Sequence, residues 1–298
     1  MGVPKLGAII PRRLPPFVVY DAFDYANGQN ISGLWGVKSD GSDPQELSPS
    51  DPSAIEPSWS PNGRRILYST GCVIWVMNPF GVVALPLIAT GADCRYGGVG
   101  APRWGPRGRR IVYTSGAGPM IHIANADGSH GHRVPHTQGA SDVSFSPDGR
   151  YIMFDVRQGG GFRGHLYVIR PNGTGLREIN ARYTGVDPSW SPDGTRITYA
   201  CAFYRNPVPP ASGPVVQVPF PVPHAVCEIS RAHPRPRTLT SVPSGDEIGS
   251  QTWSADGKTI LLTISGPYDA TSQIAVLSPF GGTPVEITHT GYNSDPDW

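Results

Sequence analysis

The chain has 298 residues, with 24 Lys and Arg against 23 Asp and Glu and a formal net charge of +1. The arginines are dispersed rather than massed, so there is no electrostatic footprint for nucleic acid, and no run of 18 apolar residues is present to span a membrane. Gly (37) and Pro (33) make up nearly a quarter of the residues, against a usual share of about an eighth, which suits many short strands joined by tight turns.

Residues 1–16 form an N-terminal extension too short and too Pro-broken for a signal peptide. The protein is therefore either cytoplasmic or, if a leader has been trimmed, extracytoplasmic. Three strand-like segments follow: Phe17–Phe23, Leu34–Gly41 and Pro44–Ser48. A phrase then recurs along the chain: EPSWSPNGRRILYST from Glu56, PRWGPRGRRIVYTS from Pro102, DVSFSPDGRYIMFDV from Asp142, DPSWSPDGTRITYA from Asp187 and QTWSADGKTILLTIS from Gln251. A sixth copy stops at Asp295-Pro296-Asp297-Trp298. Its aromatics, Trp59, Trp104, Phe145, Trp190, Trp253 and Trp298, are spaced by 45, 41, 45, 63 and 45 residues, the length of one four-stranded propeller blade.

Each unit reads as a strand ending at the aromatic, a Ser-Pro-Asp-Gly type turn, and a second strand with apolar alternation such as Ile152 and Phe154. A third strand ends in a Gly turn, lost in the fifth copy from Cys227, and a short fourth strand suits an outer edge. The predicted fold is all-β: a six-bladed β-propeller of four-stranded antiparallel blades. Its last blade is closed by the C-terminal strand (294–298) joining the three N-terminal strands (17–48). Residues 17–298 form one propeller domain, with a Pro-rich insertion at 203–225 that accounts for the long spacing. That insertion is expected to be extended and polyproline-like.

With WSPDG intact at Trp190–Gly194 and near-copies at Trp59, Phe145 and Trp253, the chain resembles the TolB-like propellers and their WD40-like (PD40) repeat. The resemblance covers essentially residues 17–298. It implies the propeller fold and admits translocation and interaction proteins, peptidase-linked propellers and a few lyases. The α/β domain that precedes the propeller in the family's namesake has no counterpart in this sequence, so a role in that protein's complex is not implied.

The aromatics and turns are expected to be scaffold. Three places before each aromatic stand Glu56, Ala101, Asp142, Asp187, Ser250 and Asp295. If the first strands line a channel, Glu56, Asp142, Asp187 and Asp295 form an acidic ring at one mouth. Such a ring favours a cation, a Lys or Arg side chain, or partial protonation; alternatively each acid caps the loop into its own strand. No cofactor is predicted other than a divalent cation at Asp142, Asp187 and Asp295. Tyr96, Tyr183 and Tyr292, with Phe220 of the insertion, fall on the same face and are candidate binding residues. So do the cysteines, whose positions pair Cys72 with Cys94 and Cys201 with Cys227, four buried thiols being the alternative.

No GxSxG elbow is present, and no residues are left over for a hydrolase domain. The cluster His130, His132 and His136 reads as solvated loop histidines. The expected function is a non-catalytic binding or scaffold propeller, a monomer engaging a protein, peptide or glycan at the decorated mouth. The alternative is an extracytoplasmic, lyase-like enzyme acting on polysaccharide through channel-mouth residues.

Overall fold

The computed structural model describes residues 17–24, 31–48, 53–81, 84–89, 98–157, 164–179, 184–202, 223–230, 235–243, 245–266 and 271–298. All regular structure among them is β. The N-terminal strands are β1 (Phe17–Asp24), β2 (Ile31–Lys38) and β3 (Gln45–Glu46). Blade 2 consists of β4 (Ile55–Trp59), β5 (Ile66–Ser69), β6 (Val73–Met77) and β7 (Ala84–Ala89). Blade 3 is β8 (Val99–Trp104), β9 (Arg110–Ser115), β10 (Met120–Asn125) and β11 (His132–Arg133). Blade 4 is β12 (Ala140–Phe145), β13 (Ile152–Arg157), β14 (Gly164–Ile169) and β15 (Arg177–Glu178). Blade 5 is β16 (Gly185–Trp190), β17 (Arg196–Cys201), β18 (Ala225–Ser230) and β19 (Arg237–Ser241). Blade 6 is β20 (Glu247–Trp253), β21 (Ile260–Ser265), β22 (Ser272–Leu277) and β23 (Val285–Glu286). The final strand, β24 (Tyr292–Asp297), pairs antiparallel with β1 and completes blade 1.

The ring closes where the sequence places it. β24 lies between the innermost strands β20 and β4, and a parallel bridge from Ser272 to Tyr292 ties it to blade 6. The closing strand starts two residues before the predicted 294, because Tyr292 and Asn293 extend the ladder opposite Phe23 and Ala22. Closure in this manner leaves no open edge between the first and last repeats.

The second strands are buried on both sides rather than alternately: Ile66, Leu67, Tyr68 and Ser69 are all inaccessible. Each blade packs face to face against its neighbours, so a middle strand has no solvent side. The turns after the aromatics are held by their own acids. Asp148 Oδ1 accepts the Ser146 hydroxyl at 2.6 Å and the Arg150 N–H at 3.0 Å, and Asp193 Oδ1 does the same for Ser191 and Thr195. The glycine of the third-to-fourth turn has a packing reason. At Gly81, with φ of 68°, a Cβ would run into the Leu47 carbonyl of the preceding blade.

Cys201 and Cys227 form a disulfide between β17 and β18, at the base of the insertion. Cys72 is also disulfide-bonded; its predicted partner, Cys94, lies outside the described residues, as do positions 203–222 of the insertion. The Cys201–Cys227 link closes a separation of 26 residues. Replacing both cysteines by serine is expected to lower stability by about 3 kcal/mol through the freed unfolded chain, read as a shift in the urea midpoint. An unchanged midpoint would show that the paired strands alone secure the base of the insertion.

Candidate functional site

In five of the six blades the residue three places before the aromatic adopts a left-handed backbone. The φ values are 54° at Glu56, 47° at Ala101, 45° at Asp142, 53° at Asp187 and 48° at Asp295. In each of these strands the pairing of first and second strands slips beside this residue, as between Ser141 and Ser144 or Val186 and Ser189. An extra residue in a bulge re-aims side chains, and a left-handed non-Gly residue is uncommon, with Asp among the types that adopt it more readily. The acids therefore sit inside the innermost strands, not in the loops leading to them. Their bonds run to the neighbouring blade. Glu56 Oε2 accepts the Ala101 N–H at 2.7 Å as well as the Ser69 hydroxyl at 3.1 Å, and Asp295 accepts the Ser250 hydroxyl.

Acids missed in the sequence deepen the site. Asp21 on β1 is 2% exposed. It accepts the Glu56 N–H at 3.3 Å and the Ser294 hydroxyl at 2.6 Å. Asp155 on β13 is fully buried. Asp297 accepts the Trp59 N–H at 2.6 Å and the Thr252 hydroxyl at 3.3 Å, which fastens blade 1 to blades 2 and 6. The signal for Asp21 and Asp155 was present: each is a charge embedded in an apolar strand, FVVYDAF and IMFDV, and such a residue is buried only with partners.

Blade 4 supplies the cation. Arg157 Nη2 donates to Asp142 Oδ2 and to Asp187 Oδ1, both at 2.6 Å, and Nε donates to Asp155 Oδ2 at 3.1 Å. One guanidinium thus faces three carboxyl groups. Asp142 keeps 29% of its side chain accessible, Asp187 12% and Arg157 35%, so the cluster is recessed but still reached by water. Burial opposes the charge on Asp142, yet Arg157 holds its carboxyl below the usual range. Burial, and then the charge of Asp142, push Asp155 and Asp187 well above it. Burial also opposes the charge of Arg157, but its three acids keep it firmly protonated. Towards blades 1 and 2, burial and then Asp295 push Glu56 up to about 7. Asp21 is raised well above its ordinary value by burial and then Asp295, and burial raises Asp295 and Asp297.

Arg103 reaches this site from β8. Its Nη1 has only long contacts, 3.2–3.5 Å, to the carbonyls of Glu56, Pro57 and Pro102. Among the described residues no group of three or more His, Cys, Asp or Glu is placed to hold a metal ion. Asp142 and Asp187, two of the three residues assigned to a divalent cation from sequence, are engaged by Arg157 instead, so the arrangement fits a guanidinium better than a metal.

The sequence pattern of the TolB beta propeller domain matches residues 27–204, more than half of the chain. The chain belongs to the TolB propeller family. Its structure is similar to that of TolB from Acinetobacter baumannii, with a TM-score of 0.72 at 17% identity over 95% of this chain and 66% of that one. It is similar to a chain of the nidogen/laminin complex, with a TM-score of 0.67 at 10% identity over 94% and 97% of the two chains. It is also similar to an oligogalacturonate lyase in complex with manganese, with a TM-score of 0.58 at 12% identity over 85% and 69%. No curated protein sequence matches it.

In this TolB-family propeller the four predicted acids stand at equivalent places on the innermost strands β4, β12, β16 and β24, and Arg157 joins Asp142 to Asp187. Tyr292 stands at the start of β24 and is 40% exposed. Tyr96, Tyr183 and Phe220 lie outside the described residues. His130, His132 and His136 are exposed, away from the channel.

Proposed function

We propose that this TolB-family propeller is a non-catalytic binding module, acting as a monomer. It engages a protein or peptide partner through a basic group presented to the acidic channel mouth. The observation that carries this reading is the excess of acids over cations: Arg157 stands among Asp142, Asp155 and Asp187, with Glu56, Asp21 and Asp295 beside them and Arg103 as the second cation. A partner's Lys or Arg would add to the charge pairing in this recessed site. A divalent cation enters this reading only by displacing Arg157 from Asp142 and Asp187. The disulfide supports an extracytoplasmic setting, since such links persist in oxidising compartments.

The test is capture of binding partners by the protein and by a variant with Asp142, Asp187 and Asp295 changed to Asn, both checked for native folding. Binding that falls at least tenfold and weakens with salt supports the reading. Undiminished binding by the triple variant refutes it. Because Glu56 must be ionised to contribute, binding of a basic partner is expected to tighten as pH rises through about 7.

The second reading, a lyase-like enzyme acting on polysaccharide, draws support from the likeness to the manganese-bound oligogalacturonate lyase. New unsaturated ends released from a polyuronate by the protein, and lost in the same triple variant, would favour it over simple binding.

A further inference from the structure

The repeat carries its own reference for a second site. At the junction of blades 3 and 4 the Arg110 guanidinium lies 5.0 Å from the centre of the Phe145 ring. At the junction of blades 5 and 6 Arg196 lies 4.5 Å from that of Trp253. In both, the arginine is the first residue of the second strand, and it covers the aromatic of the next blade. The covered rings are buried, Phe145 at 7% and Trp253 at 6% exposure.

The junction of blades 4 and 5 has no arginine at this position, as is also so between blades 6 and 1, where the residue is Thr259. The equivalent position, six residues after the blade's aromatic, is Tyr151, and the neighbouring ring is Trp190, which is only partly buried. The gap is a groove of about 530 Å³ on the face of the first-to-second strand turns, opposite the acidic mouth. Its floor includes the apolar Val168, Ile197 and Ile229, and its rim carries Asp148 and Asp193 from the two turns. Both rim carboxylates are held below the usual range by hydrogen bonds within their own turns, so they stay ionised. Glu178 of the rim is occupied by His165 at 2.6 Å, and Arg177 also borders the groove.

We propose that this groove is a docking site for an arginine side chain flanked by apolar residues in an extended segment of a protein partner. The incoming guanidinium stacks on Trp190, in the position that Arg110 and Arg196 occupy over their own rings, and its charge faces Asp148 and Asp193. The flanking residues lie along the wall that Val168, Ile197 and Ile229 line. Arginine is preferred to lysine because a planar guanidinium stacks on an indole face and is more weakly hydrated than an ammonium.

The experiment titrates the folded protein with a blocked leucyl-arginyl-leucine amide and with its lysine and citrulline counterparts. It follows the ¹⁵N-labelled indole N–H signal of Trp190, assigned by its loss in Trp190→Phe. The arginine peptide is expected to shift this signal saturably and to bind about tenfold more tightly than the citrulline peptide, with lysine between. Tyr151→Arg should fill the groove from within, as at the two flanking junctions, and abolish the shift while the thermal transition is retained. Equal affinities for the three peptides, no saturable shift, or binding unaltered in a folded Tyr151→Arg protein would each overturn the proposal. Binding at the channel mouth is a separate matter, since neither Tyr151 nor Trp190 takes part in the acidic cluster.

Discussion

Replacing Arg157 by Ala is expected to lower the stability of the propeller at pH 8 by about 3 kcal/mol, with most of that loss recovered near pH 4. Without the guanidinium, Asp142, Asp155 and Asp187 face one another with no cation between them. Breaking a buried charge pair by removing one partner costs about 3–5 kcal/mol. The low end applies because Arg157 is 35% exposed and water can take up part of the loss. The pH sign follows from the acids. Two already have carboxyl groups raised well above the ordinary value, and loss of Arg157 raises these further and removes the charge that holds Asp142 down. An acid with a raised folded-state pKa contributes stability that is present below its unfolded value and lost as pH rises through the folded one. The deficit should therefore grow with pH. Urea melts at pH 4 and pH 8 decide the matter, and a variant as stable as the parent at pH 8 would show that the three acids share protons without help from Arg157. The same variant should acquire stabilisation by millimolar calcium or manganese, because the oxygens that Arg157 occupies become free for a hard cation.

The second prediction concerns the seam between blades 2 and 3, which the Glu56 carboxyl spans by accepting the Ala101 N–H. Glu56 titrates at about 7 rather than 4.5, chiefly because it is buried and then because of Asp295. Between those two values the unfolded chain releases its proton before the folded one does. The protein should thus lose roughly 3 kcal/mol of stability from this group as pH rises across that interval. Glu56→Gln keeps an oxygen to accept the Ala101 N–H and the Ser69 hydroxyl but cannot ionise. It is expected to match the parent near pH 4.5 and to exceed it by roughly 2–3 kcal/mol at pH 8. A variant less stable than the parent at both pH values would mean that the carboxylate, rather than its hydrogen bonds, supports the seam. Residues that weaken a fold at working pH are the ones expected at a site kept for binding.

Much of the site was legible because the repeat places equivalent residues at equivalent heights. Six copies in register bring Glu56, Asp142, Asp187 and Asp295 to one level of the channel as soon as the ring closes. Arg157 was not legible as their partner. Nothing in RQGG after IMFDV distinguishes it from a solvated end of strand, and its role comes from the bulge that turns Asp142 and Asp187 towards it. Asp21 lay in a strand whose blade is completed from the other end of the chain, so its closeness to Ser294 could not be read locally. The tyrosine at 151 was also visible as a letter, but its meaning needed the cation–π contacts at Arg110 and Arg196 for comparison.

What the order of residues settles here is the repeat: the period, the turn chemistry, the four strands of each blade and the return of the C-terminus to the N-terminal strands. These follow from local rules, in which Pro and Gly set backbone angles, apolar runs seek burial and a recurring aromatic marks each unit. The charge balance belongs to the assembled ring. Burial, the left-handed bulges and contacts between residues up to 273 positions apart determine which carboxyl groups hold protons and which face an arginine. They also determine which aromatics an arginine covers, because electrostatics and packing depend on distance in space and the repeat supplies distance along the chain.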